Sequence, residues 1–140
     1  MRSRSMFLGR LVAGFLLAAG GTTIAQEAPP LLPDGRLDVV ALQPAGKPRS
    51  CVPRRDVQES RPFENSAIMF RTGANRWLRN DLKDTCPALD RNRALVFRSP
   101  VGQMCENDIV DVVDPVSKMN WGFCTLGQFT PVSIPRGSRF

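Results

Sequence analysis

Four cysteines behind a short apolar leader constrain this chain more than any other feature. Residues 1–25 open with Arg2, Arg4 and Arg10, continue through the apolar run 11–20 (LVAGFLLAAG), and end in GTTIA, with Thr23 and Ala25 at the −3 and −1 positions of a cleavage site. That is the pattern of an export signal. The run falls far short of the ~20 residues that span a bilayer, so the reading is a cleaved leader and not an anchor. Export delivers a chain to an oxidising compartment, where thiols pair. Cys51, Cys86, Cys105 and Cys124 all follow the leader and their number is even, which predicts two disulfides.

A chain of this size benefits from such bonds. Cleavage after Ala25 leaves 115 residues, 26–140, enough for one domain with a marginal core. In the chain-entropy model, each bridge over loops of this length contributes about 3–4 kcal/mol. Three pairings are open. The favoured one joins Cys51 to Cys86 and Cys105 to Cys124, because an antiparallel return around residues 114–120 draws the last two sulfurs together. Zinc is disfavoured, since 34, 18 and 18 residues separate successive cysteines and no histidine can complete a site. A disulfide-exchange enzyme is disfavoured too, for want of a C-x-x-C pair.

Charge and composition exclude more than they indicate. The whole chain carries a formal charge of +6, but three of its 19 basic residues and none of its 13 acidic ones lie in the leader, leaving 16 against 13, or +3. A mild positive charge does not identify a nucleic-acid partner, and none is expected of an exported chain. The absence of histidine and tyrosine removes the commonest general base and metal ligand. Any catalysis falls to carboxylates, lysine, hydroxyls or a free thiol. No motif implies a cofactor or a metal, and no catalytic residue stands out. The leader has no adjacent arginine pair, and no cysteine lies near its end to take a lipid. The expectation is a soluble periplasmic or secreted bacterial protein, with no stable membrane insertion once the leader is removed.

Residues 26–50 read as a flexible arm, because Pro29, Pro30, Pro33, Pro44 and Pro48 block helices and ladders. Within it, residues 37–42 (LDVVAL) form an apolar island able to dock as an edge strand or a brief turn. The folded unit is expected over residues 51–134. Residues 67–72 (AIMFRT) give the first clear strand, with Ile68 and Phe70 on one face and Ala67 and Met69 on the other. A short Gly73-Ala74-Asn75 loop and a return strand over 76–82 follow. Further strands are expected at 94–98, 108–113, 121–124 and 129–134, the last at an edge because it contains Pro131. Short strands at close spacing with frequent Gly and Pro predict a mainly β fold, a small antiparallel barrel or sandwich held by two disulfides. Residues 135–140 read as a frayed tail.

The candidate site is an anion-binding patch of Arg71, Arg76, Trp77 and Arg79 around the first hairpin, with Lys83, Arg91, Arg93 and Arg98 as extensions. Basic residues interleaved with an aromatic suit an anionic glycan or a nucleic-acid strand. Asp81, Asp84 and Asp90 interrupt the run, so an ordinary charged surface competes with that reading. Glu106, Asp108, Asp111 and Asp114 supply oxygens for calcium, but they lack its loop pattern, and solvated or ion-paired carboxylates are the simpler reading. Asn80 and Asp81 are candidates to cap backbone groups near the Cys86 turn. Asp81 with Asp108 is a conceivable acid/base pair. Trp77, Trp121, Phe97, Phe123 and Phe129 read as core.

From residue 51 to 132 the chain resembles a family of small exported proteobacterial proteins of unknown function with four cysteines. The resemblance rests on Cys51-Val52, Ile68-Met69-Phe70, Asn80 with Leu82, Cys86-Pro87-Ala88-Leu89, Cys105 with Asp108-Ile109-Val110, and residues 124–129 (CTLGQF). The family pattern often has an aromatic before the asparagine and a glycine in the Cys-Pro turn, where this chain has Leu78 or Arg79 and Ala88. The resemblance implies location and architecture but no activity. The resulting expectation is a non-catalytic periplasmic module that binds a protein partner or an envelope component. The alternatives are a small carboxylate-based hydrolase or a carrier of an apolar ligand.

Overall fold

Apolar and β-branched residues mark out the strands of this chain, and glycine, proline and asparagine its turns. A computed structural model describes residues 28–99 and 101–140; the export signal expected over 1–25 lies outside the described residues. Nine strands follow in order: β1 Cys51–Pro53, β2 Glu59–Phe63, β3 Ala67–Gly73, β4 Arg76–Asp81, β5 Ala94–Phe97, β6 Gln103–Cys105, β7 Ile109–Val113, β8 Asn120–Thr125 and β9 Phe129–Val132, with one 3-10 turn, Arg54–Asp56, after β1. All pairings between them are antiparallel. The strands form a four-stranded sheet ordered β2-β3-β4-β9, a three-stranded sheet ordered β5-β7-β8 and a β1-β6 ribbon. They do not close into a barrel. The expected mainly β, antiparallel fold is present as sheets layered on a shared core.

Alternation along β3 explains the layering. Ile68 and Phe70 face one core, where they meet Val110, Val112 and Leu126 from the three-stranded sheet and its flank. The rings of Phe97 and Phe129 lie 5.7 and 5.4 Å from that of Phe70. Ala67 and Met69 face a second core with Phe63 and Val132. The four-stranded sheet is therefore buried on both sides, which is why AIMF is an unbroken apolar run. As expected for a strand containing Pro131, β9 is the last strand of its sheet.

What covers the second face corrects the expectation of a free arm. Leu37, Val39 and Leu42 are buried in the second core. Backbone bonds hold the following residues along β9: Ala45 N–H donates to Pro131 O at 2.8 Å, and Arg49 and Phe129 exchange two bonds of 2.9 Å. Proline does prevent a regular strand here, as only isolated bridges form, but the apolar island has too much surface to leave in water. Residues 135–140 are likewise packed and not frayed. Leu37 N–H donates to Arg139 O at 2.7 Å, and the Phe140 ring sits edge-on to Trp77 at 5.0 Å.

The disulfides are Cys51–Cys105 and Cys86–Cys124. This overturns the favoured pairing of Cys51 with Cys86 and Cys105 with Cys124. The expected antiparallel return exists, but its register sets Cys124 opposite Val110. Cys105 belongs to β6, separated from β7 by a turn in which Asn107 has a positive φ of 72°. β6 pairs with β1, placing Cys105 directly opposite Cys51. Cys86, from the Cys-Pro turn, reaches the buried side of β8 instead. Cys86 and Cys124 are buried, while Cys51 is exposed.

Candidate functional site

Strand alternation divides the candidate patch. Arg71 stands opposite Trp77, and Arg79 opposite Met69, on the face that carries the second core. Arg76 is displaced from this alternation at the hairpin end, where the register shifts between Arg71 and Gly73. Arg71 is paired with Glu59, Nε to Oε2 3.1 Å.

Arg79 is not a surface residue. It is 8% exposed, and its Nη1 donates to the carbonyls of Val39, Val40 and Leu42 at 2.9, 2.9 and 2.8 Å. Its Nε lies 2.8 Å from Asp81 Oδ1. Three carbonyls in one turn leave a concentrated negative end, and a buried guanidinium answers it through one nitrogen, Nη1, whose two N–H groups the three oxygens share. Arg79 is therefore a clip that fixes residues 39–42 to β4, and it leaves the expected anion-binding patch.

Arg76 and Trp77 do line a hollow of about 600 Å³, half open to solvent. Arg49, from the segment along β9, and Arg55, from the turn after β1, join them there. Asp56 is the one carboxylate in its lining, and it faces Arg55 at 3.8 Å. Among the described residues, neither Arg49 nor Arg76 has a carboxylate within 4.0 Å. The Arg76 guanidinium folds back over Gly73 and donates to Thr72 O at 3.3 Å. Arg49 and Arg55 escaped the sequence reading because they lie 27 and 21 positions before Arg76 and share no motif with it.

The acidic residues have local partners. Glu106 receives Lys83 Nζ at 2.5 Å and Gln128 Nε2 at 3.1 Å; Lys83 first, then Gln128, hold its carboxyl below the ordinary value. Asp114 accepts the Ser117 and Val116 N–H groups, which lower its pKa, and also faces Arg93 at 3.3 Å. Asp108 accepts Cys105 N–H at 2.7 Å, and Arg98 pairs with Asp111. Among the described residues, no group of three His, Cys, Asp or Glu side chains is placed to hold a metal. Asp81 and Asp108 are thus engaged separately, by Arg79 and by a backbone amide.

Asn80 does cap backbone groups, but those of Gly127 and not of the Cys86 turn. Its fully buried amide donates to Gly127 O at 2.8 Å and accepts Gly127 N–H at 2.9 Å. Two aromatics expected in the core are outside it: Trp121 is 52% and Phe123 64% exposed. A bulge between Val112 and Val113 interrupts pairing at Trp121, and Arg93 stacks on its ring at 3.9 Å. Phe123 lies in register with Asp111 and Val96, which places all three on the outer face of the three-stranded sheet.

Two disulfides mark a protein of an oxidising compartment. Among the described residues, no helix is long and apolar enough to cross a membrane. No family model, curated protein or solved structure matches the chain.

Proposed function

We propose that this protein is a non-catalytic binding module of the bacterial periplasm or exterior, delivered by the leader at residues 1–25, and that it holds an anionic envelope component at the hollow beside Trp77. The family of small exported proteobacterial proteins is part of the same proposal. The observation that carries it is the pair Arg49 and Arg76, exposed at one hollow where, among the described residues, no carboxylate lies within 4.0 Å of either. Guanidinium groups without a carboxylate partner offer charge-assisted bonds to an external carboxylate, sulfate or phosphate, and Arg76 gives up at most its bond to Thr72 O. The half-open, arginine-lined shape suits an anion better than the enclosed apolar cavity an apolar carrier needs. The carboxylates named for a hydrolase are bound to separate partners.

The double reversal R49E/R76E tests this. Retention on an immobilised anionic glycan or on anionic lipid vesicles should fall about tenfold or more, while the melting temperature moves by no more than about 2 °C, because both side chains are exposed. Unchanged retention sinks the proposal.

A further inference from the structure

The hollow beside Trp77 does not stand alone. A second one, of about 430 Å³, shares Asn75, Trp77 and Ser133 with it, and carries Arg61 and Arg136. A third, of about 290 Å³, shares Arg61 and Phe140 with the second, and carries Arg91 and Arg93. The three adjoin in series. The first is lined by Arg49, Arg55 and Arg76, and neither the second nor the third is lined by an Asp or Glu side chain, although Arg61 is paired with Glu59 and Arg93 with Asp114. Trp77 stands where the first two meet, its ring perpendicular to that of Phe140 and with the Arg61 guanidinium over one face at 5.7 Å, which leaves the other face for a ligand.

We propose that these hollows form one track for an extended anionic polysaccharide, with Trp77 as a stacking platform midway and arginines meeting the repeated negative charges. This deepens the function proposed above and rests on it. Three features favour a glycan over an acidic peptide. Backbone bonds from Ala45 and Arg49 already occupy the outer edge of β9, so a peptide gains no ladder there. Asn75 and Ser133, exposed beside the indole, have no hydrogen-bond partner among the described residues and present an amide and a hydroxyl to sugar hydroxyls. The indole provides an apolar face with an N–H at its rim, which matches the mixed surface of a pyranose ring. Arginines spread along a groove, and not gathered at a point, favour a ligand whose charges repeat. Binding one charge raises the effective concentration of the next.

Length dependence tests the track separately from the single hollow. Oligogalacturonates from the disaccharide to the octasaccharide are titrated against the full exported protein. Affinity should rise about tenfold or more with length. The variant R91E/R136E, altered in the second and third hollows at exposed side chains, should abolish the rise and leave disaccharide affinity within about twofold. R49E/R76E should weaken every length. In a Trp121→Phe background, Trp77 emission should shift on binding the octasaccharide. Binding that persists without length dependence overturns the track and leaves the first hollow as an anion site. No binding of any length to the wild type overturns the anion reading as well. Equal affinity for polyglutamate of matched length, without a change in Trp77 emission, overturns the choice of glycan.

Discussion

The two main sheets share a core but differ in what covers their far sides. The four-stranded sheet has a second apolar face, and residues 32–42 with Ile134 and Phe140 pack over it. Among the described residues, the outer face of the three-stranded sheet has no such cover; Val96, Ile109 and Phe123 are exposed there around the Arg98–Asp111 pair. The difference lies in the strands themselves. β3 is apolar on both sides, so leaving either side in water costs about 25 cal/mol per Å² of apolar surface. β7 alternates between Val110 and Val112 inside and Asp111 outside, and Asp111 with its arginine tolerates solvent. One sheet recruits a proline-rich segment as its second layer, while the other functions with one.

The comparison predicts unequal costs of truncation. Phe70→Ala, at the centre of the shared core, should lose about 3–5 kcal/mol of stability, whereas Phe123→Ala on the open face should lose about 0.5 kcal/mol or less. Urea denaturation measures both, and similar losses would mean that the outer face is covered. Arg79→Met tests how the covering layer is held. It keeps much of the side-chain volume but leaves three carbonyls without their donor, and should cost about 2–3 kcal/mol. Proteolysis should then cut residues 37–42 before the rest of the chain. An intact segment in the variant would show that apolar contact alone holds the layer.

The smallest effect concerns acid. Glu106 and Asp114 have lowered pKa values in the folded state. Their contribution is therefore complete above the ordinary carboxylate range near pH ~4 and is lost as pH falls through the lowered values. Melting temperature should decline from about pH 5 toward pH 3, with a shallower slope in Glu106→Gln. An identical slope in that variant would remove Lys83–Glu106 from the account.

Strands with a strong apolar pattern were legible in the sequence: residues 67–72 and 108–113 were placed within two positions of β3 and β7. β2 was not, because ESRPF has neither alternation nor β-branched residues; it is a strand because Phe63 fills the second core and β3 offers an edge. The three-residue β1 and β6 are too short to carry a pattern and exist as a pair joined by a disulfide. For the candidate site, Arg76 and Trp77 were legible as hairpin residues. Arg79 is not legible as a clip, because its charge suggests a surface while its place opposite the buried Met69 follows from the strand register and the docking of residues 39–42. Arg49 and Arg55 reach the hollow through long-range packing, which local spacing does not encode.

The order of the sulfur bonds along the chain has a consequence for biosynthesis. The first cysteine joins the third and the second joins the fourth. A polypeptide made from its amino end exposes Cys51 and Cys86 while their proper mates are still to come. Oxidation at that moment creates a link absent from the finished molecule, and only attack by another thiolate can undo it. Direct maturation is therefore favoured by a delay in oxidation until Cys105 has emerged, and an early Cys51–Cys86 link needs thiol exchange to reach the native pairing.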